Sequence, residues 1–245
     1  MSDTDLQRLV HKRLGRRGLF VGALSRGSLA LLTGCNLEDD DAVDRMLFAV
    51  SRFNDRVQAA LFRQDRLAPT YTARDITDPF PFNAYYEEAK APEVDGGVWK
   101  LELTGRIENK TSWSLADLNQ LPQTTQITRH ICIEGWSAIG QWSGVPLGDF
   151  LRRVGADTRA PFIAVRCADG YSSSLDMATA LHPQTQITLR FRDQVLPRRY
   201  GFPIKIRIPT KLGFKNPKHV VAMEVVDHDP GGFWENYGYN RFSGL

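Results

Sequence analysis

The sequence predicts an α+β domain of many short strands with short helices between them. Three observations carry that expectation. Short stretches of alternating or β-branched apolar residues recur from residue 99 onward, short helical stretches fall between them, and no internal repeat or low-complexity tract is present. With residues 1–35 set aside, about 210 residues remain, enough for one domain with a substantial core.

Residues 1–35 read as an export signal. Arg8, Lys12, Arg13, Arg16 and Arg17 form a basic leader, Gly18 to Leu24 opens a short apolar run, and Leu32-Thr33-Gly34-Cys35 closes it. Arg26 interrupts the run, which falls short of the ~20 apolar residues of a spanning helix. Arg16-Arg17-Gly18-Leu19-Phe20 resembles a twin-arginine signal, which implies export of an already folded protein. The closing segment resembles a lipobox, in which Cys35 would take the lipid and begin the mature chain. A soluble amphipathic helix is the competing reading of this segment.

Residues 36–79 read as an acidic tether, a helix and an extended connection. Asn36 to Asp41 is acidic, which suits the positive end of a following helix dipole. Val43, Met46, Leu47, Val50, Phe53, Val57, Ala60 and Leu61 then recur at helical spacing. This stripe is expected to pack on the domain, with a partner-binding face near a membrane as the alternative. Residues 65–82 are rich in Pro, Asp and Thr and are expected to be irregular.

From residue 80 the elements are short. Trp99 to Gly105 alternates as a half-buried strand, and Ser114 caps a short helix through Leu118. Gln126 to Ile133 is a strand that delivers Cys132, followed by a loop rich in Trp and Gly and a helix over Leu147 to Val154. Phe162 to Arg166 is a buried strand, and Ser174 to Leu181 is expected as a helix stopped by His182-Pro183. Ile187 to Phe191, Ile204 to Ile208 and Val220 to Val226 are further strands, and residues 231–245 form a C-terminal tail.

The whole chain carries 31 Lys and Arg against 28 Asp and Glu. Residues 1–35 hold six of the basic residues and two of the acidic ones, so the remainder stands at 25 against 26. The basic pI belongs to the leader, and no nucleic-acid surface is implied. With Cys35 assigned to lipid, only Cys132 and Cys167 remain, too few for a disulfide scaffold. Taken by itself, Cys132 between Ile131 and Ile133 reads as a small buried hydrophobe or as a soft-metal ligand, and a Cys132–Cys167 disulfide is a third reading.

Arg129-His130-Ile131-Cys132-Ile133-Glu134-Gly135-Trp136-Ser137 resembles the molybdenum-binding segment of the sulfite-oxidase superfamily. It is closest to the bacterial branch that contains the periplasmic methionine-sulfoxide reductase catalytic subunit, where Cys-x-Glu-x-Trp-Ser opens the motif. Three further segments match in order: Asn83 to Glu87, Leu196 to Lys205, and Leu212 to Lys218. The resemblance therefore covers roughly residues 80–227, and residues 80–230 are expected to form a molybdopterin-binding oxidoreductase domain of sulfite-oxidase type, with several short mixed sheets and helices around them.

That resemblance implies a molybdenum–molybdopterin cofactor, with Cys132 as the metal ligand. It implies cofactor contacts from Asn83, Tyr86, Glu87, Cys167, Tyr200, Lys205, Asn216, Pro217 and Lys218. A pterin phosphate calls for cations, which Lys205, Lys215 and Lys218 can supply, and the ring edges call for amides and hydroxyls. Without the motif, the lysines would read as a solvated basic face. Tyr200 stands where the family has His or Asn, and Lys205 where it has Arg, so the bidentate fork is lost at that point. Cys167 matches a Thr position near the cofactor. Gly170-Tyr171-Ser172-Ser173-Ser174 resembles the segment carrying the active-site tyrosine of sulfite oxidases, which implies a catalytic Tyr171; a turn tyrosine is the alternative.

Sulfite oxidases hold their dianion with arginines just after the ligand cysteine. Trp136 and Ser137 stand there in this chain, which favours a neutral oxygen-atom acceptor such as a sulfoxide, with sulfite oxidation as a lesser alternative. The sequence has no Cys-x-x-Cys-His haem attachment, iron–sulfur cysteine set or nucleotide fingerprint, so electrons are expected from a separate redox protein such as a membrane cytochrome. The expected small-molecule oxidoreductase therefore sits in the periplasm or cell envelope on a lipid anchor. A non-catalytic lipoprotein of the same fold that binds cofactor or a partner is the competing class.

Overall fold

The computed structural model describes residues 40–245; the leader and Cys35 lie outside the described residues. Residues 49–245 form one compact unit, and residues 40–48 of the other unit are the first turns of helix α1 (Asp40–Leu61).

Among the described residues, ten strands make two five-stranded sheets. In the first, the order is β2 (Trp113–Ser114), β1 (Lys100–Gly105), β10 (Val220–Val226), β5 (Phe162–Cys167) and β6 (Ser172–Asp176). Only β1 and β10 run parallel, pairing Glu102 with Ala222 through Gly105 with Val225. In the second, β3 (Thr124–Ile131), β4 (Ser137–Pro146), β7 (Gln186–Phe191) and β8 (Gln194–Val195) follow in order, and β9 (Lys205–Arg207) pairs with β7. The alternation expected around Leu101 and Leu103 is present, with both side chains buried between exposed neighbours. One core joins the sheets: Leu101, Leu103, Ile163 and Val225 from the first meet Val145, Ile187 and Ile206 from the second, with Leu147, Phe150 and Leu151 of helix α3 (Leu147–Arg153). A smaller aromatic cluster gathers Phe80, Trp142, Phe191 and Tyr200.

Helix α2 (Leu115–Asn119) begins at Ser114, whose hydroxyl accepts from the Asp117 amide, as the capping residue implies. Three expectations are corrected. The Trp- and Gly-rich loop after Cys132 is the ten-residue strand β4, hydrogen-bonded to β3 from Ser137–Ile131 to Gly144–Thr124. Its glycines allow close approach of strands: a Cβ on Gly144 would stand 2.0 Å from the Ile187 carbonyl oxygen. The helix expected from Ser174 is instead β6 through Asp176, whose carboxylate caps the four-residue helix α4 (Met177–Ala180) by accepting from the Thr179 amide. The stripe on α1 does not pack on the domain. Val50, Phe53, Val57 and Leu61 are exposed, and the helix docks through the polar side chains of Ser51, Asp55 and Gln58.

Candidate active site

The β3–β4 turn fixes the thiol. The Cys132 amide donates to the Trp136 carbonyl (2.9 Å), and the Gly135 amide donates back to the Cys132 carbonyl (3.2 Å). Gly135 sits at φ +91°, a left-handed conformation that favours glycine. The thiol is 4 % exposed at the floor of a cleft of about 770 Å³. Asn83 Nδ2 donates to Sγ across 3.2 Å, and Sγ lies 3.7 Å from Glu134 Oε2, which also accepts from Trp136 Nε1 at 2.9 Å. Burial pushes the Cys132 thiol up, and the Glu134 carboxylate adds to the rise against the Asn83 amide. The free side chain is thus a protonated thiol, and a soft cation would have to displace that proton.

The cleft walls come from segments far apart in sequence. Asn83, Tyr86, Glu87, Tyr171, Asn216, Pro217 and Lys218 line it together with Cys132. Tyr171 is held at both ends: its amide donates to Asp169 Oδ1 (3.0 Å) and its hydroxyl donates to the Phe214 carbonyl (2.7 Å). Burial raises its pKa, with Glu235 next in effect. Tyr86 donates to Asp169 Oδ2 at 2.9 Å, and Tyr85 to the Asp169 carbonyl at 2.6 Å. The Lys218 ammonium lies 4.5 Å from the Phe82 ring centroid and donates to the Arg199 carbonyl. Burial lowers its pKa to about 8, against the pull of Asp169 and Glu88.

Four sequence-predicted residues, Cys167, Tyr200, Lys205 and Lys215, lie outside the cleft lining. Cys167 ends β5, buried, its amide bonded to the Tyr171 carbonyl. Tyr200 belongs to the aromatic cluster and donates to the Phe80 carbonyl at 2.6 Å. Lys205 is 5 % exposed with its ammonium 4.7 Å from the Trp142 ring centroid. Asn216 does line the cleft, but its amide is already committed: Oδ1 accepts from Arg207 Nη1 and the Ile208 amide, and Nδ2 donates to the Leu212 carbonyl. Lys215, read from sequence as a free cation, is buried against Glu235.

Sequence reasoning missed Arg207, Glu134, Asp169, Trp234 and Tyr239. Arg207 is fully buried two residues beyond Lys205, a spacing that puts both on one strand face, so the alternation was the available signal. Trp234 and Tyr239 line the cleft from the C-terminal tail, on and after helix α5 (Phe233–Asn236), and nothing in their local sequence points there.

Burial depresses the pKa of Lys205, Arg207 and Lys218, and none forms an ion pair with a carboxylate among the described residues. His130 is buried beside them with both ring nitrogens unpaired, held neutral by burial and by these three charges. A Cβ on Gly213 would stand 2.6 Å from His130 Nε2, so glycine keeps that wall open. Buried positive charge without a counter-ion is costly, and an anionic group bound alongside would offset it. A soft sulfur donor at the floor, an amide aimed at it and an uncompensated cationic flank fit a molybdenum–molybdopterin group with its phosphate. No cluster of three or more His, Cys, Asp or Glu side chains suited to another metal occurs among the described residues.

Residues 88–234 match the family model described as the oxidoreductase molybdopterin binding domain. The chain is 54% identical over 229 residues to a protein of Azospira oryzae provisionally named protein-methionine-sulfoxide reductase subunit YedZ1, covering 94% of this chain and 87% of that one. It is 31% identical over 193 residues to the protein-methionine-sulfoxide reductase catalytic subunit MsrP of Burkholderia mallei, covering 69% of this chain and 57% of the relative. The fold resembles the sulfane dehydrogenase SoxCD of Paracoccus pantotrophus, with a TM-score of 0.53 at 18% identity over 56% of this chain and 40% of that one.

Proposed function

Because the chain belongs to the family of oxidoreductase molybdopterin-binding domains, and so is a molybdenum–molybdopterin enzyme, we propose that it reduces the sulfur–oxygen bond of a neutral sulfoxide in the cell envelope. One sulfoxide, two electrons and two protons give one thioether and one water. When bound, the cofactor supplies the two-electron couple and the metal at which the oxygen atom is transferred.

The chain's own residues hold the group and manage protons. Cys132 would hold the metal as a thiolate after giving up its thiol proton, and Asn83 sets the orientation of that sulfur through its amide. Lys218, with Lys205 and Arg207 behind it, offers positive charge to the phosphate. Glu134 is exposed to water and lies 3.7 Å from Sγ, so its carboxyl group would relay protons between solvent and the cleft. Tyr171 lines the cleft, and its hydroxyl would have to exchange the Phe214 carbonyl for a substrate oxygen in order to donate to it.

One observation carries the choice of substrate. The side chains that meet the Cys132 thiol are the Asn83 amide and the Glu134 carboxylate, and among the described residues no guanidinium lines the cleft. A dianion such as sulfite would meet the like charge of Glu134 there, whereas a neutral sulfoxide would not be repelled. Molybdenum-loaded protein assayed with sulfoxides, N-oxides and sulfite is expected to turn over a sulfoxide with an artificial electron donor. Robust sulfite oxidation without sulfoxide reduction would refute the reading.

Electrons come on this account from a separate redox protein such as a membrane cytochrome; the MsrP relatives are themselves named catalytic subunits. Export through the folded-protein route and lipidation at Cys35 complete the proposal. Cys35→Ala is expected to abolish incorporation of lipid or leave the leader uncleaved, and Arg16→Lys with Arg17→Lys to block export.

A further inference from the structure

Helix α1 presents its sides in reverse. Ser51 donates to Asn240 (2.7 Å), Asp55 accepts from the Arg241 and Phe242 amides (3.1 and 2.8 Å), and Gln58 accepts from the Gly244 amide (2.9 Å). These residues share one face and hold the C-terminal tail. The other face carries Val50, Phe53, Val57 and Leu61, which are 51, 59, 39 and 75 % exposed, and Met46 continues their spacing. A helix serving only its own domain would turn this stripe inward. Arg45, Arg52 and Arg56 run in a row along one border of the stripe, while Asp44 and Asp55 fall on the docking side, Asp55 pairing with Arg52.

We propose that the outward face of α1 lies in the surface of a phospholipid bilayer, as a non-covalent attachment separate from any lipid on the chain. Three features select a bilayer as the occupant. The helix begins five residues after Cys35, at most ~18 Å of extended chain, so a lipid on Cys35 and α1 reach the same surface; this argument alone rests on the export reading. Arg45 and Arg56 can lay their stems on the apolar boundary and direct guanidinium groups to lipid phosphates, whereas Arg52 is paired with Asp55 at 3.4 Å. No helix among the described residues is long and apolar enough to cross a membrane, so α1 lies on the bilayer rather than through it.

The test uses the full chain with Cys35→Ala, so that it does not depend on lipidation. A polarity-sensitive fluorophore is attached at Phe53→Cys, or at Glu102→Cys on an exposed part of β1 as control; Cys132 and Cys167 are buried. On vesicles of phosphatidylethanolamine and phosphatidylglycerol, the label at 53 is expected to shift to the blue and to be quenched by spin-labelled lipid, and the label at 102 to do neither. Phe53→Asp with Val57→Asp is expected to weaken vesicle binding about tenfold or more, with molybdenum content unchanged. An unshifted label at 53 on vesicle-bound protein overturns the proposal. So does a blue shift without vesicles: concentration dependence would mean a second copy covers the stripe, and independence would mean the chain's own first 39 residues do. A shift that needs an added membrane protein would assign the face to that partner instead.

Discussion

The side-chain amide of Asn83 donates to the sulfur of Cys132 across 3.2 Å, tying the segment before β1 to the β3–β4 turn. The bond lowers the cost of a thiolate at a buried position, opposing the rise that burial imposes. Asn83→Leu should therefore lower molybdenum occupancy or turnover about 10- to 100-fold with the fold intact, the scale at which groups behind a metal ligand act. Metal analysis alongside far-ultraviolet circular dichroism checks it; full occupancy and full activity in the variant would remove Asn83 from the account.

Tyr171→Phe deletes a hydroxyl that is buried and bonded to the Phe214 carbonyl. The lost bond should cost about 1 kcal/mol of stability. Sulfoxide turnover should fall further than that loss explains, with molybdopterin content retained. Steady-state kinetics and cofactor extraction separate the two effects, and a variant whose only defect is lost cofactor would place Tyr171 at the pterin.

The Lys218 ammonium has its pKa lowered from the ordinary 10.5 to about 8 by burial. Below pH 8 the lysine is charged in both folded and unfolded states, and the folded state bears the cost of sheltering that charge. Between pH 8 and 10.5 the unfolded chain binds the proton and the folded chain does not, so stability rises with pH. Cofactor-free Lys218→Met should lack this contribution: its melting temperature should exceed that of the parent most below pH 8, and the gap should close toward pH 10. Loading with the anionic cofactor should shrink the gap at low pH. A gap that is constant with pH would contradict the assignment.

Legibility of the fold followed local pattern. Leu101 and Leu103 alternate with Lys100 and Glu102, so β1 could be read, and Ser114 announced α2. Strand β4 could not, because Gly140 and Gly144 signal a loop unless one knows that β7 and the Trp142 ring approach too closely for a Cβ. Strand β6 hid behind three serines that suit a helix start, yet Ser173 is buried and spends its hydroxyl on Glu235. The stripe on α1 was visible, but which way it faces is fixed by Asn240 to Gly244, nearly 190 residues away.

The site divides similarly. The motif around Cys132 and the segments at Asn83 and Lys218 were legible as separate pieces, and folding brings them to one cleft. Asn216 shows the reverse: residue type suggested a ligand, but its amide is consumed by Arg207 and the backbone. Which polar groups remain free is decided by tertiary partners, and no local pattern encodes it.

The central claim is that the sulfur of Cys132 binds molybdenum at the floor of the cleft. X-ray absorption at the molybdenum edge, comparing the loaded protein with Cys132→Ser at matched pterin content, tests it most directly. The account predicts one sulfur scatterer fewer in the variant and loss of sulfoxide turnover, because an oxygen ligand replaces the thiolate while the pocket persists. An unchanged sulfur shell with retained turnover would contradict it.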